Sequence, residues 1–161
     1  MKTEDLEPET TSQTADAALV SDIDAFDTVD TADMTVLTPD GRLSQWVWTF
    51  AGPGHPKTIA QSNRIARERL HEESQKDAAR TNGRKWKPVE ESPDEVRAKN
   101  ATFVIERLIG WRGATRGGQD FPFSVESARA ILLDPRKGGI LVQGLEFLGE
   151  NASFTPRSPT P

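Results

Sequence analysis

Leu108-Ile109-Gly110-Trp111, a Gly-rich loop over 113–118, and then Asp120-Phe121-Pro122-Phe123-Ser124-Val125-Glu126-Ser127-Ala128-Arg129 form the stretch on which the fold turns. Upstream of it, Ser92-Pro93-Asp94-Glu95 is a helix start, with Ser at the N-cap, Pro in the first turn and acids that complement the helix dipole. The apolar spacing of Val96, Phe103, Val104 and Leu108 carries that helix to about Ile109, with Trp111 just past its end. Downstream, Ser124 caps a short helix in which Val125, Ala128, Ile131 and Leu132 recur at helical spacing, and Pro135 stops it. A last helix over about 139–148 carries Leu141, Leu145 and Leu148 ahead of Phe154. The stretch predicts small helices packed on one another.

Toward the N-terminus the pattern changes period. Thr35-Val36-Leu37-Thr38 is β-prone, Pro39-Asp40-Gly41 signals a turn, and Leu43 to Phe50 resumes as strand. Trp46, Trp48 and Phe50 alternate with smaller residues, so they share one face of a pleated strand. A two-stranded hairpin that apolar is unstable alone. It must pack on the helices or on another chain, which makes self-association one partner class the sequence allows. Two prolines and two glycines in Ala51-Gly52-Pro53-Gly54-His55-Pro56 break the strand, and a strongly polar helix follows over about 57–80. Only Ile59, Ala66 and Leu70 form its apolar stripe, so most of it should face solvent. The expected fold is therefore α+β: a small N-terminal β-hairpin (34–51) followed by a mainly α-helical body with helices at about 57–80, 93–109, 125–133 and 139–148. A single folded domain should span 34–154, preceded by a disordered acidic arm (1–33) and followed by a flexible tail (155–161).

Charge is segregated along the chain. Residues 1–33 set ten acidic side chains against Lys2, a net charge of −9, while the remaining residues sum to +4. The net charge of −5 describes neither part. The arm holds few sizeable apolar residues, too little burial to offset backbone ordering. Leu19, Val20, Ile23 and Phe26 nevertheless fall on one face of a short helix that could dock on the body or on a partner. With no cysteine, disulfides, thiolate metal sites and Cys nucleophiles are excluded. No apolar run approaches the roughly 20 residues of a membrane span, and no signal-peptide pattern opens the sequence. A soluble protein of the cell interior, without membrane partners, is expected.

Candidate chemistry is sparse. His55 lies in the Pro/Gly loop, and His71 stands beside Glu72 and Glu73 on the polar helix without the His-Glu-x-x-His spacing of a metal site. Gly52 to Thr58 lacks the spacing of a phosphate loop, and its prolines remove the N–H donors that cradle phosphate. Asp22, Asp24 and Asp27 lack the glycine and the bidentate glutamate of a calcium loop. No catalytic residue, metal site or cofactor is therefore expected. Nucleic acid is a disfavoured partner, because the helix basic residues alternate with Glu68, Glu72, Glu73 and Asp77. Arg84-Lys85-Trp86-Lys87 is the one compact basic-aromatic patch. Trp111, Phe121, Phe123 and Phe154 read as core before groove. Trp46, Trp48, Trp111 and Phe123 are the candidate partner-binding residues.

Gly110-Trp111, the Phe121 to Ala128 run, Ile131-Leu132-Leu133-Asp134-Pro135 and Phe154, with the Pro39-Asp40-Gly41 turn, the Trp48 strand and the long charged helix, resemble the tail assembly chaperones of long-tailed bacteriophages. The likeness covers about residues 34–154 and rests on structural residues. It implies a non-enzymatic role in tail morphogenesis in the host cell cytoplasm, binding the tape measure protein and the tail tube protein and keeping them soluble. Family members are generally absent from the finished virion, and some have a second form made by ribosomal frameshifting. The long acidic arm and the basic loop from Gly113 to Gly118 depart from the family pattern. Two other readings remain open from the residues: a structural virion component such as a head-tail or tail-terminator protein, and a small nucleic-acid-binding regulator.

Overall fold

The structure, a computed structural model, describes residues 22–156. A three-stranded antiparallel sheet, ordered β1-β2-β3, is formed by Thr31–Leu37 (β1), Leu43–Ala51 (β2) and Leu108–Arg112 (β3). Helices Pro56–Thr81 (α1) and Pro93–Arg107 (α2) lie between β2 and β3 in the chain. After β3 come a two-stranded hairpin, Thr115–Arg116 (β4) and Gln119–Asp120 (β5), then Val125–Leu133 (α3) and Gly138–Gly149 (α4). A 3₁₀ turn at Asn151–Phe154 follows α4. The fold is α+β, with the expected hairpin ahead of a mainly helical body.

One face of the sheet carries the core. Met34 and Val36 on β1, Trp48 and Phe50 on β2, and Leu108 on β3 are buried against Ala101, Val104 and Ile105 of α2, Ala128 and Leu132 of α3, and Leu141 of α4. The opposite face is polar: Asp33 accepts from the Thr49 hydroxyl at 2.7 Å and pairs with Arg112 at 2.8 Å. Those two bonds, Arg112 first, hold the Asp33 carboxyl below its ordinary range.

Residues 108–112 fold differently from their local reading. α2 ends at Arg107, and Leu108 to Arg112 pair with β2 as a third strand, Trp111 opposite Trp48 and Leu108 opposite Phe50. The register shifts between Thr49 and Phe50, so Leu108 and Trp111 both meet the core cluster despite their odd spacing. A continued helix would leave Phe50 and Trp48 without that cover. The basic Gly-rich loop is likewise a hairpin, β4 and β5, with positive φ at Gly117 and Gly118.

At the N-terminal edge, order extends further forward than Met34. β1 starts at Thr31, the Val29 N–H donates to the Phe154 carbonyl at 2.9 Å, and the Gly52 N–H donates to the Asp30 carbonyl at 2.7 Å. Ile23–Phe26 forms a 3₁₀ turn whose two large apolar side chains, Ile23 and Phe26, stay exposed. The remainder of the expected arm, residues 1–21, and residues 157–161 of the expected tail lie outside the described residues, as do Leu19 and Val20 of the short apolar face.

α1 is about 39 Å long at the standard helical rise. His55 caps it, its Nδ1 accepting the Lys57 N–H at 3.1 Å. Thr58 and Gln61 are its buried residues, whereas the expected apolar stripe of Ile59, Ala66 and Leu70 is exposed: the helix meets the body through polar side chains, and most of it faces solvent as its composition predicted. A polar clasp rather than an apolar seam joins it to α2. Arg64 donates to both Glu106 oxygens at 2.6 and 2.7 Å, and Gln61 donates to the Phe103 carbonyl at 2.8 Å and to Glu106 at 3.0 Å. Burial pushes the Glu106 carboxyl up, but the bonds from Arg64 and Gln61 together outweigh it and hold the group below its ordinary value. α2 opens at the expected Ser92 cap, and Glu95 completes a capping box there: the Ser92 hydroxyl accepts from Glu95 N–H and the Glu95 carboxylate accepts from Ser92 N–H.

Candidate functional site

Five aromatic side chains, from β2, β3 and the loop between β5 and α3, meet beside the core. Trp46 and Trp48 alternate into the same face of β2, with ring centroids 5.4 Å apart in an edge-on arrangement. β3 brings Trp111 beside both, stacked at 5.8 Å on Trp48 and edge-on at 5.5 Å to Trp46. Phe121 stacks on Trp111 at 5.9 Å and Phe123 meets it edge-on at 5.0 Å. The Trp111 indole N–H donates to the Phe121 carbonyl at 2.8 Å, fixing the β5 end of the small hairpin to the sheet. The indole N–H groups of Trp46 and Trp48 are buried and have no acceptor among the described residues. An unpaired buried donor costs about 1–3 kcal/mol, which the stacked aromatic area offsets.

Beside this cluster lies an open groove of about 680 Å³. One wall is the end of β1 with Val36 and Leu37, the second is the β4–β5 hairpin with Ala114, Arg116 and Phe121, and the third is the α3–α4 corner with Ile131 and Ile140. Trp46 forms part of its lining. The edge of β1 is closed by Gln143 of α4, whose amide accepts from the Leu37 N–H at 2.7 Å and donates to the Leu37 carbonyl at 3.1 Å. Gly113 makes the hairpin's approach feasible: its φ is +76°, and a Cβ there would overlap the Gln45 carbonyl.

The groove is apolar inside and cationic at its margin. Arg116 lies over the Phe121 ring, 4.5 Å from its centroid. Arg136 and Lys137 both bond to Asp134, at 3.1 and 2.7 Å, so two cations share one carboxylate. Those bonds, Arg136 first, hold Asp134 far below the carboxylate range. An apolar surface with a positive margin suits an apolar segment that carries negative charge nearby.

Of the four predicted partner-binding residues, only Trp46 reaches the groove. Trp48 is 0% exposed and cannot touch a partner in this fold. Its place in the partner set is corrected: the third strand and the helices enclose it. Trp111 and Phe123 are half-buried and pack against the core. The wall residues Val36, Ile131 and Ile140 come from segments far apart in sequence, and no local pattern joins them. Arg116 had a visible signal, the basic character of the Gly-rich loop. Trp86 of the basic-aromatic patch is half-buried, with the Lys76 ammonium 4.4 Å from its ring centroid, so its face is already covered by this chain.

Among the described residues, no helix is long and apolar enough to cross a membrane, and no three His, Cys, Asp or Glu side chains gather as a metal site. Compared with protein-family models, curated proteins and solved structures, the chain finds no match in any of the three.

Proposed function

We propose that this chain is a non-enzymatic phage tail assembly chaperone, acting in the host cell cytoplasm, whose groove holds an apolar segment of the tape measure protein. The observation that carries this reading is the open groove lined by Trp46, Val36, Ile131 and Ile140 beneath a rim of Arg116, Arg136 and Lys137. A holding chaperone needs an apolar surface that exposes little of itself to a second copy, and a charged margin keeps the complex soluble. A groove set among rigid elements meets both needs. The tail tube protein is the second partner this reading includes.

Co-expression with the tape measure protein of the same phage tests it. The tape measure protein should become soluble and co-purify with the chain. Ile140→Asp should abolish that capture, and exposed Arg116→Glu should weaken it severely with thermal unfolding little changed. A tape measure protein that stays insoluble beside the intact chain, or capture that survives both variants, rejects the reading. Stoichiometric recovery of the chain from purified virions would instead favour a structural tail or head-tail component.

A further inference from the structure

We propose that the acidic N-terminal segment of this same chain, residues 1–21, occupies the groove intramolecularly, with Leu6 against its apolar lining and Glu4, Asp5 and Glu7 against its cationic rim. Charge complementarity favours this occupant. Residues 1–21 carry Glu4, Asp5, Glu7, Glu9 and Asp16 against Lys2 alone. The rim offers Arg116, Arg136 and Lys137, of which the last two share Asp134. Leu6, flanked on both sides by acids, is the large apolar side chain that matches the lining.

Reach is sufficient. The described chain begins at Asp22, and β1, starting at Thr31, ends at the groove wall with Val36 and Leu37. The fifteen residue steps from Asp22 to Leu37 span at most about 50 Å even if fully extended, and the sixteen from Leu6 to Asp22 extend up to about 53 Å. Exposed ion pairs are individually weak, contributing about 0–1 kcal/mol. A covalent tether changes the outcome, because it presents the segment to the groove at an effective concentration on the order of millimolar. The arm is then a built-in competitor that covers the apolar surface until a tighter occupant displaces it. This holds whether or not the displacing partner is a tape measure protein.

The full chain contains no cysteine, so Thr10→Cys places a single nitroxide label next to the acidic segment without altering Leu6 or its flanking acids. In isotope-labelled protein, amides of Val36, Ala114 and Gln143 should broaden, while those of Glu68 to Thr81 in α1 should not. The broadening should disappear at 1 M salt, where the screening length is about 3 Å. It should also disappear when Glu4→Gln, Leu6→Ser and Glu7→Gln are combined. Broadening confined to residues next to Asp22, or spread evenly over the surface, overturns the proposal. So does broadening that appears only in unlabelled-with-labelled mixtures, which would assign the groove to a second copy's arm. No tail protein is present in this experiment, so its failure leaves the chaperone reading untouched, and failed tape measure capture leaves the arm contact untouched.

Discussion

At the scale of single residues, Trp46 and Trp48 show how one strand face divides into two roles. They alternate identically and touch each other, yet Trp48 is sealed beneath Trp111 and Trp46 borders the groove. Trp48→Ala should cost about 3–5 kcal/mol, as for other buried large aromatics, read as a lower urea midpoint. Trp46→Ala should cost less and act mainly on partner capture, so the two variants separate stability from binding. Gly113→Ala is the sharper backbone test. It combines a positive φ with overlap at the Gln45 carbonyl, so it should destabilise the chain and loosen the β4–β5 hairpin that walls the groove. Hydrogen exchange at Ala114 and Phe121 would report that loosening; the Phe121 N–H donates to the Ala114 carbonyl at 2.9 Å.

Between elements, the attachment of α1 is polar and therefore sensitive to pH. Glu106 titrates below its ordinary value in the folded chain, so its contribution is present above the unfolded glutamate range near about 4.3 and is lost as pH falls through the lower folded value. Glu106→Gln should lower stability at neutral pH by about 1 kcal/mol and flatten the acid limb of the stability profile. Equal acid sensitivity in wild type and variant would assign that limb to other carboxylates. The contact between α2 and α4 has the opposite character. Gly144 lies against the Val104 side chain, where a Cβ would come within 3.1 Å of it, with the Phe50 ring next nearest.

Across the whole molecule, the two ends of the described chain are joined at one corner. Val29 bonds to Phe154, Gly52 bonds to Asp30, and Arg107 donates to the Ala51 carbonyl at 2.9 and 2.6 Å while lying over the Phe154 ring. Phe154 is 2% exposed. Phe154→Ala should therefore cost about 3–5 kcal/mol and increase exchange at the Val29 and Gly52 amides together. Protection lost at neither amide would show that the corner closes without it.

The sequence by itself determined the elements whose signals are local. The Ser92 cap, the Ser124 cap, the Pro39-Asp40-Gly41 turn and the alternation of Trp46, Trp48 and Phe50 each depend on residues a few positions apart, and all appear where the pattern put them. The charge segregation is likewise complete in the sequence. Only the tertiary structure decided that Leu108 to Arg112 is a strand. Those residues are compatible with a helix end, and the open edge of β2, far away in the chain, supplies the hydrogen bonds that select the strand. The same non-local pairing buried Trp48, brought Phe121 onto Trp111, and assembled a groove from β1, the β4–β5 hairpin and the α3–α4 corner. Caps and turns are satisfied within a few residues; a third strand and a groove exist only when distant segments meet.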